Sequence, residues 1–180
     1  LLETNEASTI HHVIVVLSGK GGVGKSLVTS LLASEMTKRG KKVGILDADV
    51  TGPSIPKSFG LSGPLMGDDN GIIPAETETG IKVISTNLML PDEDTPVAWR
   101  GPVVANALKE FYTTANWGEL DYLFVDMPPG TSDVLLTIFQ DLPVDGVVMV
   151  SAPQELVAMI VGKAVNIAAK MEVPVIALVE

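Results

Sequence analysis

The stretch Gly19-Lys20-Gly21-Gly22-Val23-Gly24-Lys25-Ser26 follows the apolar run Val13 to Leu17 and fits the spacing G-x-x-x-x-G-K-[ST] of a phosphate-binding loop. Glycines let successive backbone N–H groups turn inward around phosphate oxygens, and a terminal hydroxyl can reach a magnesium ion. Lys25 is placed to neutralise the outer phosphates, and Ser26 to ligate the metal. A glycine-rich string alone is a weak signal. Here it leaves a strand pattern and opens a helix pattern, the context that the motif requires, so the sequence implies binding of a nucleoside triphosphate.

Outward from the loop, strand and helix patterns alternate. His12 to Ser18 reads as a buried strand. Residues 25 to 39 read as a helix with Val28, Leu31, Leu32 and Met36 on one face and Gly40 as its stop. Val43 to Leu46 is the next strand, and a Gly/Pro-rich stretch runs from Gly52 to Pro74. A short strand at Ile81 to Ser85, an acidic loop at Pro91 to Asp94 and a helix from near Pro102 follow. That helix repeats Val104, Ala107, Leu108, Phe111 and Tyr112 at helical spacing. Strands at Tyr122 to Val125, Val147 to Val150 and Val175 to Val179 alternate with helices at Ser132 to Gln140 and 154 to 171. The expected fold is α/β, a mostly parallel central sheet with helices on both faces and ligands at the carboxyl ends of the strands. Residues 1–12 read as an N-terminal extension, and residues 13–180 as a single domain.

Acidic residues gather at those strand ends. Asp47 and Asp49 follow the second strand, and Asp126 closes Tyr122-Leu123-Phe124-Val125. Carboxylates suit magnesium, a hard ion that keeps several waters and touches protein through few groups. Asp47, Asp49 and Asp126, with Ser26, are the candidate metal ligands, and of Asp47 and Asp49 one can serve the magnesium shell while the other orients water. Each aspartate alone also fits a helix cap or a solvated strand end. The N–H of Gly130, in Met127-Pro128-Pro129-Gly130-Thr131, is a candidate sensor of the γ-phosphate because glycine permits close approach. The nucleotide-binding set is Gly19 to Leu27 together with Gly130. Lys20, a second lysine in the loop, reads either as a solvated side chain or as one that reaches a nucleotide across a dimer interface.

The two-lysine loop resembles the deviant Walker A of the MinD/Mrp/ParA class. Asp47-Ala48-Asp49-Val50-Thr51-Gly52-Pro53-Ser54-Ile55-Pro56, Trp99-Arg100-Gly101-Pro102, Trp117-Gly118-Glu119-Leu120-Asp121-Tyr122 and Asp126-Met127-Pro128-Pro129-Gly130-Thr131-Ser132-Asp133 narrow this to a resemblance to Mrp/ApbC proteins, from about Val13 to Glu180. The resemblance implies a P-loop ATPase of SIMIBI/MinD-like fold that carries iron–sulfur clusters to apo-proteins and works as a nucleotide-sandwich homodimer with ATP or ADP and magnesium. It makes Lys20, Lys25 and Asp49 the catalytic residues, with Lys20 acting in trans, Asp49 positioning the attacking water and Asp126 in the Walker B role. Leu27 departs from the threonine common after the metal ligand. Such proteins continue into an Asn-Met segment and a Cys-x-x-Cys pair that holds a bridging cluster. The 180 residues contain no cysteine, so the resemblance implies a segment of a longer protein, with a cluster expected only in the longer chain.

Composition limits the other options. A net charge of −10 opposes nonspecific nucleic-acid binding, which needs a basic footprint. No apolar run reaches the roughly 18 residues needed to span a bilayer, and the start lacks the layout of a signal peptide, so neither nucleic acid nor membrane is an expected partner and the cytoplasm is the expected compartment. His11-His12 and Asp92-Glu93-Asp94 read as surface groups, Trp99-Arg100 as a loop anchor or a partner surface, and the scattered methionines as core filling. The second functional reading is a MinD/ParA-like positioning ATPase without cluster cargo, which would need a basic patch or an amphipathic terminal helix. The third is a nucleotide-binding module without turnover.

Overall fold

Strand β1 (Ser8–Ser18) leads straight into the glycine loop and runs near the centre of a seven-stranded sheet. The computed structural model describes residues 1–49, 54–89, 101–130, 132–153 and 159–180. Within these, the chain continues through α1 (Lys25–Lys38), β2 (Val43–Asp47), α2 (Ser54–Phe59), β3 (Met66–Asp68), β4 (Gly71–Ile73), β5 (Ala75–Glu76) and β6 (Lys82–Ser85). A 3-10 turn (Thr86–Leu88) follows, then α3 (Gly101–Thr114), β7 (Gly118–Asp126), α4 (Ser132–Asp141), β8 (Gly146–Val150), α5 (Met159–Lys170) and β9 (Val175–Val179). The main sheet has the order β5-β6-β2-β7-β1-β8-β9 and is parallel except for the β5 edge. A separate antiparallel hairpin joins β3 to β4.

Alternation along the strands builds two cores. Val13, Val15 and Leu17 of β1 face α3, α4 and α5, whereas Ile14 and Val16 face the side that α1 and α2 cover. Both faces of the parallel sheet are therefore lined with aliphatic side chains, as burial on two sides requires. On the first side Trp117 is fully buried and donates its indole N–H to the Phe111 carbonyl at 3.2 Å. Gly44 of β2 makes room there, since a Cβ at that position would lie 2.7 Å from the Leu120 side chain and 3.2 Å from the Trp117 ring.

The topology also places the site. After β1 the chain crosses on the α1 side to β2, and after β7, the neighbour of β1, it crosses on the α4 side to β8. Two adjacent parallel strands thus send their connections to opposite faces, which opens a crevice at their carboxyl ends.

Several expectations need adjustment. β1 begins at Ser8, with Ser8 to Ile10 paired to Gly118 to Leu120, so five residues assigned to the N-terminal extension belong to the sheet. The Gly/Pro-rich stretch contains α2 and the β3–β4 hairpin. The inward face of α1 is Lys25, Thr29, Ser30 and Ala33 rather than its apolar row. Leu31 is 59% exposed, and Val28, Leu32 and Met36 are only partly buried. Lys25 and Thr29 must reach the strand ends, and that requirement sets the rotation of the helix. The acidic loop, Trp99-Arg100 and the first residues of the last expected helix lie outside the described residues. His11 and His12 sit half-exposed at the far end of the sheet, 3.8 Å from Glu119 and 3.9 Å from Asp145.

Candidate functional site

The loop between β1 and α1 turns on Gly22 and Gly24, whose φ values of 78° and 90° suit glycine and disfavour other residues. Gly24 caps α1 without a side-chain bond and so leaves the helix N-terminus facing the crevice, a natural anion site. Lys20, Gly21, Gly22, Gly24, Lys25, Ser26 and Leu27 line a cleft of about 420 Å³ together with Ser18, Asp49 and Ser58. Val23 instead packs against the core on the α1 side, and Gly19 belongs to a smaller cavity behind the loop.

Lys25 is the centre of the site. Its ammonium, 5% exposed, lies 2.7 Å from Asp126 Oδ1 and 3.3 Å from Asp49 Oδ2. Asp126 also accepts from the Ser26 hydroxyl at 2.8 Å and the Thr29 hydroxyl at 3.1 Å. Lys25 and Ser26 from the first turn of α1, Asp49 just beyond β2 and Asp126 at the end of β7 thus converge, and Thr29 joins them from one turn further along α1. Burial pushes the Asp126 carboxyl upward, opposed by Lys25 and then by the Ser26 and Thr29 bonds.

Asp47 is built differently. It is the register partner of Asp126 on the neighbouring strand and is 1% exposed. Its Oδ2 accepts from the Ser85 hydroxyl at 2.8 Å and its Oδ1 from the Asp49 N–H at 3.0 Å. Burial, and next the charge of Asp126, push its carboxyl up to about 8. Asp47 thus holds the backbone of Asp49 beside the cleft.

Gly130 is placed at the end of β1. Its N–H donates to the Ser18 carbonyl at 3.2 Å, and it lines the cavity of about 110 Å³ on the α4 and α5 side with Met127, Pro128 and Lys163. It ties the chain after β7 to the end of β1. Ser58, Thr29, Ser85 and Asn87 are residues that motif spacing did not single out. Only Thr29 had a signal, a polar residue four positions after Lys25 on the side of α1 that faces the sheet.

The donor set fits magnesium. The Ser26 hydroxyl and the carboxylates of Asp49 and Asp126 are hard oxygen ligands beside a phosphate-binding loop. Among the described residues, no group of three or more His, Cys, Asp or Glu side chains could hold a metal by itself. Such a sparse protein shell suits an ion that takes its remaining ligands from water and phosphate.

A central parallel strand ending in this loop, with a buried lysine, a hydroxyl and an aspartate from the adjacent strand, defines a P-loop NTPase. Comparison with known proteins narrows the class. A family model described as "ParA: NUBPL iron-transfer P-loop NTPase" matches residues 9–180. The iron-sulfur cluster carrier protein of Clostridium perfringens is 51% identical over 95% of this chain and 63% of its own length. The carrier of the same description from Methanocaldococcus jannaschii is 49% identical over 96% of this chain and 60% of its own. A solved nucleotide-binding protein from Archaeoglobus fulgidus, in complex with ADP, superposes with a TM-score of 0.82 at 48% identity, covering 95% of this chain and 66% of that one. The chain belongs to the family of iron-sulfur cluster carrier P-loop NTPases. It spans about six tenths of the length of these two carrier relatives.

Proposed function

We propose that this chain is the ATP-hydrolysing part of a carrier that delivers iron–sulfur clusters to apo-proteins and works as a homodimer in the cytoplasm. The observation that carries the reading is the convergence of Lys25, Ser26, Asp49 and Asp126 at the mouth of the glycine loop. The ADP held by the Archaeoglobus fulgidus relative supports a nucleotide in the same cleft. Loop N–H groups and the N-terminus of α1 bind the phosphates, and Lys25, aimed by two carboxylates, adds charge at the outer ones. Ser26, with Asp49 and Asp126 through water, would hold magnesium, which neutralises charge that builds on the outer phosphates. Asp49 lies at the cleft and orients a water for in-line attack on the γ-phosphorus. The bond to the bridging oxygen breaks, and ADP and phosphate leave. Lys20, on the rim of the cleft, completes the site of a second copy.

Cluster cargo is supported by the carrier relatives. Since these 180 residues include no cysteine, thiolate ligands for a cluster come from outside them. Among the described residues no helix is long and apolar enough to cross a membrane.

ATP turnover measured across protein concentration tests the proposal. The rate per protomer is expected to rise with concentration in the wild type and to stay low and flat in Lys20→Ala. A Lys20→Ala protein with normal rates throughout would remove the trans role. Anaerobic loading of a protein that carries this domain, followed by visible absorbance on transfer to an apo-protein, tests the cargo.

A further inference from the structure

Asp49 is held by more than its neighbours in the cleft. Its N–H donates to Asp47 Oδ1 at 3.0 Å, and its carbonyl accepts from the side-chain amide of Asn87 at 3.2 Å. The two holds meet at one place, the turn that leaves β6. Ser85 Oγ donates to Asp47 Oδ2 at 2.8 Å, and the same hydroxyl caps the 3-10 turn by accepting from the Asn87 N–H at 3.2 Å. Because a carbonyl can only accept, the NH₂ of the Asn87 amide must be the end that faces Asp49. A residue with both backbone polar groups tethered has little freedom to rotate, and its carboxylate stays 3.3 Å from Lys25 at the cleft.

We propose that Asn87 is a positioning residue for the phosphate site: from the 3-10 turn after β6, the strand beyond β2, it fixes the backbone of Asp49 so that the Asp49 carboxylate is aimed before nucleotide arrives. Asn87 touches neither the glycine loop nor Lys25 in the bonds above, so it acts through Asp49 alone. The inference rests on the hydrolytic reading of Asp49. It predicts a specific division of effects, because phosphate binding draws on the loop and Lys25, whereas water orientation draws on Asp49.

The test uses Asn87→Asp, which keeps the shape but cannot donate to the Asp49 carbonyl when ionised, and Asn87→Ala, which removes the donor without adding charge. Both are expected to lower kcat at least tenfold with the ATP dissociation constant within twofold of wild type. In hydrogen exchange without nucleotide, the peptide spanning residues 43–49 is expected to lose protection in both variants while the rest of the sheet keeps its own. Unchanged kcat, or kcat and affinity falling together, would overturn the positioning role. Unchanged exchange at 43–49 would overturn the tether itself. A wild-type protein that binds ATP without turnover would instead sink the hydrolytic reading, and the exchange measurement would still decide whether Asn87 holds the loop.

Discussion

Asp47 and Asp126 end adjacent parallel strands at the same register, yet they do different work. Asp126 receives one ammonium and two hydroxyls from the first turns of α1, and so is tied to the end of the glycine loop. Asp47 receives a hydroxyl from β6 and a backbone N–H two residues on, and so belongs to the scaffold of Asp49. The difference lies in what each strand neighbours. β7 lies beside β1 and its loop, while β2 lies one strand further out, between β7 and β6. Position in the sheet, rather than residue type, separates the carboxylate that meets Lys25 from the one that holds the Asp49 backbone.

The strongest way to break this arrangement is to remove the cation on which it converges. Lys25→Ala leaves the Asp126 carboxylate buried with only two hydroxyl partners. Loss of one partner from a buried ion pair costs about 3 kcal/mol or more. Titration calorimetry should show ATP affinity lowered at least about a hundredfold, the 2.7 kcal/mol scale of one lost charge-assisted contact. Chemical denaturation should show the stability loss alongside it. The paired substitutions Asp126→Asn and Asp47→Asn sharpen the comparison. The first should lower turnover by about a hundredfold or more, because it removes charge beside the lysine and the proposed magnesium site. The second should leave turnover within several-fold, since asparagine can still accept from the Asp49 N–H and donate to Ser85.

The same pair separates in pH dependence. The Asp47 carboxyl is raised from 3.8 to about 8, so the folded protein binds a proton that the unfolded chain releases. The contribution of Asp47 is therefore fully favourable below about pH 4 and is lost as pH rises toward about 8. Asp47→Asn should flatten that part of the stability profile in urea denaturation between pH 4 and 8. A profile with the same slope in both proteins would show that Asp47 is not the group responsible.

The glycine loop, the strand order of types and the aspartates at strand ends were legible because each follows from local spacing. Lys25, Ser26, Asp49 and Asp126 meet as the motif requires, because a parallel sheet brings the ends of β1, β2 and β7 to one edge. The bonds that hold Asp47 and Gly130 were not legible, for a common reason. Spacing puts both near the site, but their hydrogen bonds go to Ser85, Asp49 and Ser18, and partners so distant in sequence leave no local pattern. The α1 face misled in another way: periodicity marks where apolar residues lie, whereas here a lysine and a threonine fix the rotation. The hairpin of β3 and β4 escaped because three-residue strands carry too little alternation to read.

Smaller changes probe the polar contacts one at a time. Thr29→Val removes one of the hydroxyls on Asp126 while keeping the side-chain shape. The remaining contacts from Lys25 and Ser26 persist, so the expected stability loss is about 1–2 kcal/mol, read from denaturant midpoints.

Thr86, in the turn that carries Asn87, gives the opposite sign. It is fully buried, and its hydroxyl has no hydrogen-bond partner among the described residues. An unsatisfied buried hydroxyl destabilises, and an apolar group of the same shape in its place is neutral or better. Thr86→Val should therefore hold or raise stability by up to about 1 kcal/mol, measured as a shift in urea midpoint without a change in slope. A loss of comparable size would mean that the hydroxyl acquires a partner in solution, and turnover of the same variant would show whether that partner serves the site or the core.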